Sequence, residues 1–238
     1  GFAIKSYGGA VIIVNVNIEL PFNIRKNRNI VGKQHIAELV SEQIKDGDSI
    51  MLDASSTAVY VAKTLLEQGK KNLTVLTNSV EIIIELFGAQ DWKVLSTGGE
   101  SREGSFALVG YQTDRMLRSY HVDKAIISAK GIDMNAGLTD SDDLHANNKR
   151  TMLTRAKEKI LAVDSSKFDQ VAFAEIGSLD QITTIVTDAK PETRWLQHFD
   201  KIGVKCIYPE DRKSTRLNSS HHGIWVAGLW VEKKTGGG

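Results

Sequence analysis

Between about residues 33 and 207 the chain alternates short, densely apolar runs with longer segments whose apolar residues recur at helical spacing. Lys33–Lys45 sets Ile36, Leu39, Val40 and Ile44 on one helix face, and Gly47 closes the segment. Ser49–Asp53 (SIMLD) follows as a near-continuous apolar run, the pattern of a strand buried on both faces. The same alternation continues. Thr57–Gln68 is helical with Val61, Leu65 and Leu66 inward, and Leu73–Thr77 is a strand. Val80–Phe87 is a helix capped by Ser79, and strand Lys93–Ser96 ends at the Gly98-Gly99 turn.

The second half repeats the style. A helix near Val109–Ser119 leads to strand Lys124–Ser128, and a polar loop, Lys130–Asp143, precedes a helix over His145–Lys157. Strands Ile160–Val163 and Thr183–Thr187 come next, then a helix from Pro191 and a last strand, Val204–Tyr208. Strand–helix alternation with unbroken apolar strands predicts an α/β domain: a mostly parallel sheet covered by helices on both faces. It spans 33–211. Residues 1–32 stand apart as a linker-like segment, with an apolar stretch (Ala10–Ile18) and a basic one (Asn23–Asn29). Residues 212–238, rich in Ser, Asn, His and Gly, read as an artefactual or disordered tail.

Composition changes this picture in two places. The formal net charge of +1 hides an asymmetry: 212–238 hold five basic residues and one acid, so 1–211 carry 25 basic and 28 acidic residues, net −3. A mildly acidic body is a poor surface for phosphate backbones, which need clustered Lys and Arg. The single cysteine, Cys206, excludes an internal disulfide and a cysteine-built zinc site. No run approaches the ~18 apolar residues of a membrane span, and the first residues lack a signal-peptide core, so a cytoplasmic setting without membrane contact is expected.

In open α/β sheets ligands sit beyond the carboxyl ends of the strands, where helix N-termini present free N–H groups. The residues following the predicted strands are Asp53-Ala-Ser55-Ser56-Thr57, Thr77-Asn78-Ser79, Thr97-Gly98-Gly99-Glu100, Ala129-Lys130-Gly131 and Asp164-Ser-Ser-Lys167. Small hydroxyls, glycines and one lysine suit a phosphate, and the carboxylates at 53 and 164 can accept bonds from sugar hydroxyls. The set describes a phosphorylated polyol better than a nucleotide, although each Ser, Thr or Asp alone could be no more than a helix cap. The dinucleotide, P-loop, hydrolase-elbow and zinc-protease motifs are absent. Asp140-Ser-Asp-Asp143 opens like a calcium loop but lacks its later glycine and glutamate. The six histidines show no ligand spacing, Cys206 sits in an apolar strand, and no metal or cofactor is implied.

The series Gly8-Gly9-Ala10, Arg25, Lys33, Ile36-Ala37, Asp46-Gly47-Asp48, Asp53–Thr57, Thr77-Asn78, Gly98-Gly99, Gly110, Asp123-Lys124-Ala125, Gly131-Ile132-Asp133, Gly137-Leu138-Thr139, Lys149-Arg150 and Asp164–Lys167 resembles the effector-binding domain of DeoR-type bacterial transcriptional regulators over about residues 25–211. The resemblance implies a sensor domain similar to ribose-5-phosphate isomerase, joined in the family to an N-terminal winged helix-turn-helix that is missing from this chain. It also implies a phosphorylated sugar or related effector that alters operator binding, usually in repression of sugar catabolism. The family's phosphate loop maps onto Asp53, Ser55, Ser56 and Thr57, and further pocket positions map onto Thr77, Asn78, Gly98, Gly99, Gly131, Lys149, Asp164 and Lys167. Operator DNA would then be reached only through the winged helix, with the sensor forming a homo-oligomer. One departure is visible. Where relatives often carry glutamate before the helix lysine, this chain reads His145-Ala-Asn-Asn148. Lack of that carboxylate favours sensing over catalysis; the alternative is a sugar-phosphate isomerase of the same architecture, with Asp53, Asp140 or Asp164 as the base.

Overall fold

In the computed structural model, which describes residues 2–6, 9–13 and 20–209, the seven apolar runs pair in parallel as one sheet. In chain order, a hairpin of β1 (Phe2–Ser6) and β2 (Gly9–Ile13) precedes the short helix α1 (Phe22–Lys26) and α2 (Ile30–Ser41). Then come β3 (Ser49–Leu52), α3 (Ser56–Glu67), β4 (Thr74–Thr77), α4 (Val80–Glu85), β5 (Lys93–Ser96) and the hairpin β6 (Glu100–Arg102) and β7 (Ala107–Val109). They are followed by α5 (Tyr111–Arg118), β8 (Val122–Ile127), β9 (Gly131–Asp133), β10 (Gly137–Asp140), α6 (Asp143–Thr154) and β11 (Ala156–Ala162). β12 (Ala174–Gly177), β13 (Thr184–Val186), α7 (Thr193–Ile202) and β14 (Lys205–Ile207) complete the described chain. The expected tail at 212–238 lies outside the described residues.

The central sheet runs β14-β13-β11-β8-β3-β4-β5. Strand alternation divides its side chains between two cores, because successive residues point to opposite faces. Ile50 and Leu52 pack with α2 and α3 residues such as Ile36, Val40, Val61 and Leu65. Met51, between them, packs on the other side with Leu117, Met152, Trp195 and Phe199 from α5, α6 and α7. Helices therefore cover both faces, as the unbroken apolar strands require. The chain leaves β3 toward β4 and β5, then returns to place β8 on the opposite side of β3. The order reverses between β3 and β8, and a crevice opens there at the strand carboxyl ends.

Local chemistry moved several boundaries. Asn29 in a left-handed conformation accepts from the Gly32 N–H and starts α2 at Ile30 rather than Lys33. The Asp142 carboxylate accepts from the N–H groups of Leu144 and His145, so α6 starts at Asp143 and ends at Thr154. The polar stretch 130–143, expected as a loop, instead holds β9 and β10, which form a three-stranded antiparallel sheet with β12. Gly131 permits this: a Cβ there would lie 2.2 Å from the Gln170 carbonyl oxygen.

The segment before α2 is docked on the domain. Phe22 is buried, its ring 5.4 Å from that of Phe106, and its N–H donates to the Gly104 carbonyl at 2.8 Å. Phe22→Ala removes a fully buried aromatic and is expected to lower unfolding free energy by about 3–5 kcal/mol in urea denaturation. A change under about 1 kcal/mol, the scale of a surface substitution, would mean that this segment is not part of the cooperative unit.

Candidate functional site

A cavity of about 290 Å³ opens at the β3–β8 reversal. Its floor comes from three strand ends: Ala54–Thr57 after β3, Ser128–Lys130 after β8 and Asp164–Lys167 after β11. Asp140 at the end of β10 and His145 and Lys149 of α6 form one wall. Leu20, Arg25, Arg28, Asn29 and Lys33 form another. Six lysine and arginine side chains thus line the space against two carboxylates.

The floor is held by hydrogen bonds that begin at Asp53, which is 1% exposed. Its carboxylate accepts from the Ser55 N–H at 3.1 Å and from the Ser128 N–H at 2.9 Å, tying the two strand ends across the reversal. The Ser55 hydroxyl accepts from the Ala58 N–H at 3.1 Å and caps α3. Helix geometry leaves the N–H groups of Ser56 and Thr57 without acceptors inside α3, and both residues line the cavity. Asp164 caps the short turn Ser165–Lys167 by accepting from the Ser166 N–H at 3.0 Å and from its hydroxyl.

Lys149 sets the electrostatics. Its buried ammonium bonds to Asp140 and lies 3.4 Å from Asp53. Burial alone would lower the Lys149 pKa, but the two carboxylates outweigh it and hold the ammonium above its ordinary value. For Asp140 burial would raise the carboxyl, and Lys149 overturns that, holding it below the usual carboxylate range. Lys33 goes the other way: burial, assisted by Lys167, Arg25 and Arg28, outweighs Asp164 and pushes it down to about 8. Its ammonium donates to the carbonyl oxygens of Arg25, at 2.5 Å, and Arg28. Among the described residues no cluster of His, Cys, Asp and Glu could hold a metal ion.

Of the residues singled out in the sequence, Ser55, Ser56, Thr57, Lys149, Asp164 and Lys167 line this cavity, and Asp53 lies directly beneath it. Thr77, Asn78, Gly98, Gly99 and Gly131 do not line it. The Thr77 hydroxyl donates to the Leu52 carbonyl at 2.7 Å, and the Asn78 amide donates to the Leu108 carbonyl at 2.9 Å, which anchors the β6–β7 hairpin. Gly98 and Gly99 turn the chain with positive φ, and a Cβ on Gly99 would meet the Thr113 hydroxyl at 2.1 Å. Sequence reasoning did not place Arg25, Arg28, Asn29 or Lys33 in a cavity, since only tertiary docking brings them there. It also passed over Asp188, which follows β13 and was within reach of the strand-end rule.

Residues 28–189 match the family model for the DeoR C-terminal sensor domain. The chain is 36% identical over 219 residues to the uncharacterized HTH-type transcriptional regulator YulB of Bacillus subtilis, covering 92% of this chain and 81% of that one. It is 28% identical over 194 residues to the glycerol-3-phosphate regulon repressor of Escherichia coli (82% and 76%) and 34% identical over 192 residues to that organism's L-fucose operon activator (80% and 78%). Among solved structures it is similar to ribose 5-phosphate isomerase A from Methanocaldococcus jannaschii, with a TM-score of 0.42 and 20% identity, over 57% of this chain and 53% of that one. It is also similar to eIF2B delta from Chaetomium thermophilum, with a TM-score of 0.48 and 21% identity, over 68% and 57%. No helix among the described residues is long and apolar enough to cross a membrane. With a matched region that takes in the three floor loops and α6, the chain belongs to the family of DeoR-type regulators with a C-terminal sensor domain.

Proposed function

We propose that residues 20–209 form a cytoplasmic sensor that binds a phosphorylated sugar or related phosphate ester in the β3–β8 cavity without transforming it. Occupancy modulates operator binding through the family's winged helix, in repression of sugar-metabolism genes, with the sensor assembled as a homo-oligomer. The observation that carries this reading is the cavity floor: the free N–H groups and hydroxyls of Ser56 and Thr57 at the start of α3, with Lys149 and Lys167 in the same lining. A relative named for glycerol-3-phosphate supports the phosphate-ester class.

The three carboxylates at the site argue against turnover. A general base works best with a pKa near the operating pH and a free lone pair aimed at substrate. Asp140 is held low by Lys149, Asp53 serves two backbone N–H groups, and Asp164 caps its turn. Incubation with ribose 5-phosphate is expected to give no ketose phosphate above background, and turnover would establish the isomerase alternative.

Glycerol 3-phosphate or ribose 5-phosphate, or another ester of that class, should raise the melting temperature where glycerol and ribose do not, since a ligand at 100 times its Kd stabilises by about 2.7 kcal/mol. Absence of a shift across a panel of phosphate esters would refute the reading. The double variant Ser56→Ala with Thr57→Ala should weaken binding by about 2–3 kcal/mol in calorimetry, two hydrogen bonds to a charged group being lost. Affinity should also depend on pH. A phosphate monoester is fully dianionic well above its second pKa of about 6, while Lys33, at about 8, loses its proton as the pH rises from 7 to 9. Binding should therefore weaken over that interval, and a flat profile would remove Lys33 from the ligand's surroundings.

A further inference from the structure

Two loops that line the cavity, one on its floor and one on its wall, are joined by one side chain outside it. Asp188, half-buried just after β13, accepts from the Ser165 N–H at 2.7 Å through Oδ1 and from the Asn29 side-chain amide at 2.8 Å through Oδ2. Ser165 belongs to the floor loop Asp164–Lys167, and Asn29 belongs to the turn between α1 and α2. That turn is itself a tight unit. Lys33 donates to the carbonyls of Arg25 and Arg28, and the Arg25 Nε–H donates to the Leu20 carbonyl at 3.0 Å. Asn29 holds φ at +47° while its Oδ1 accepts from the Gly32 N–H at 3.2 Å. Gly32 makes room for the bridge: a Cβ there would lie 2.4 Å from Asn29 Nδ2 and 2.5 Å from Asp188 Oδ2.

We infer that Asp188 is a positioning residue of the cavity, fixing the spacing between the floor loop 164–167 and the cationic turn 25–33 and so passing occupancy of the one to the other. The inference rests on the phosphate-ester reading above. A ligand biases a distant element only through contacts or restraints that differ between its two states. An anion over Lys167 and the Ser165–Ser166 backbone orders the floor loop. The loop then presents the Ser165 N–H to Asp188 in a fixed place, and the same carboxylate holds Asn29 and, through it, the start of α2. The turn 25–33 runs directly into residue 20 and the chain before it, so this is the side on which occupancy is registered.

The test is hydrogen–deuterium exchange of the whole chain in millimolar inorganic phosphate, compared with chloride at equal ionic strength. In the wild-type protein, exchange should slow at 54–58, at 165–167 and at 26–33. In Asp188→Ala it should still slow at 54–58 but no longer at 26–33, while the phosphate Kd rises only roughly three- to tenfold. Gly32→Ala provides a second variant that inserts a methyl group into the bridge at a helical position where alanine is favoured, and it should behave alike. Slowing at 26–33 that persists in both variants, or that never occurs in the wild type although 54–58 respond, overturns the coupling. Loss of the 54–58 response in folded variants overturns it too, because Asp188 would then serve binding as a whole. No response at 54–58 or 165–167 in the wild type overturns the phosphate-ester reading itself, and with it this inference.

Discussion

Moving the Lys149 ammonium out of water costs several kcal/mol, and its two carboxylates, equally buried, add penalties of their own. The triad is tolerable because every member has fixed partners. Asp140 takes the closest contact, while Asp53 stands 3.4 Å away and spends its remaining lone pairs on the N–H groups of Ser55 and Ser128. The consequence is geometric. One cation fixes the distance between α6, the end of β10 and the β3–β8 reversal, and the α3 N-terminus is aimed from that fixed point. Taking away Lys149 would leave two uncompensated carboxylates in the core, which is far more costly than replacing all three groups by apolar ones.

On the proposed reading, the same arrangement suits binding better than proton abstraction. A carboxylate that must neutralise a buried lysine cannot also sit poised near neutral pH. Burial pulls Asp140 upward and Lys149 pulls it further down, and the lysine prevails. The charges of Asp53, Asp140 and Lys149 are committed to one another, while Ser56 and Thr57 line the open space.

The central sheet was legible because runs such as SIMLD and LTVLT have no polar face to leave exposed, and only burial on both sides accommodates them. The strands of 130–143 were not, since Gly131–Asp133 and Gly137–Asp140 are too short and polar to show a period of two. Their pairing depends on a close approach to Gln170 that no local pattern encodes. For the site, the strand-end rule reached Asp53, Ser55, Ser56, Thr57, Asp164 and Lys167, because the reversal in strand order makes those ends converge. It also gathered Thr77 and Asn78, whose side chains bond the carbonyls of Leu52 and Leu108 in neighbouring strands, and Gly98-Gly99, which turn the chain with positive φ. Arg25, Asn29 and Lys33 escaped it because they reach the cavity from a segment docked through Phe22, a tertiary fact carried by one buried ring.

On the proposed reading, that docking decides what kind of signal the cavity can send. Contacts to Ser56 and Thr57 fall on a helix whose inner face is embedded in the core beside β3, so they hardly differ between any two states of the protein. Contacts to the wall formed by 25–33 fall on a short turn held by Lys33, by Asn29 and by one aromatic anchor. Only interactions that differ between states shift an equilibrium, so on the proposed reading the floor supplies affinity and the wall supplies the response. A phosphate held at Ser56 and Thr57 alone would, on that reading, be bound without consequence, whereas one that also engages 164–167 reaches the wall through Asp188. On the same reading, any remainder of the effector that reaches toward Arg25, Arg28 and Lys33 acts on the wall directly and adds to the response that Asp188 carries.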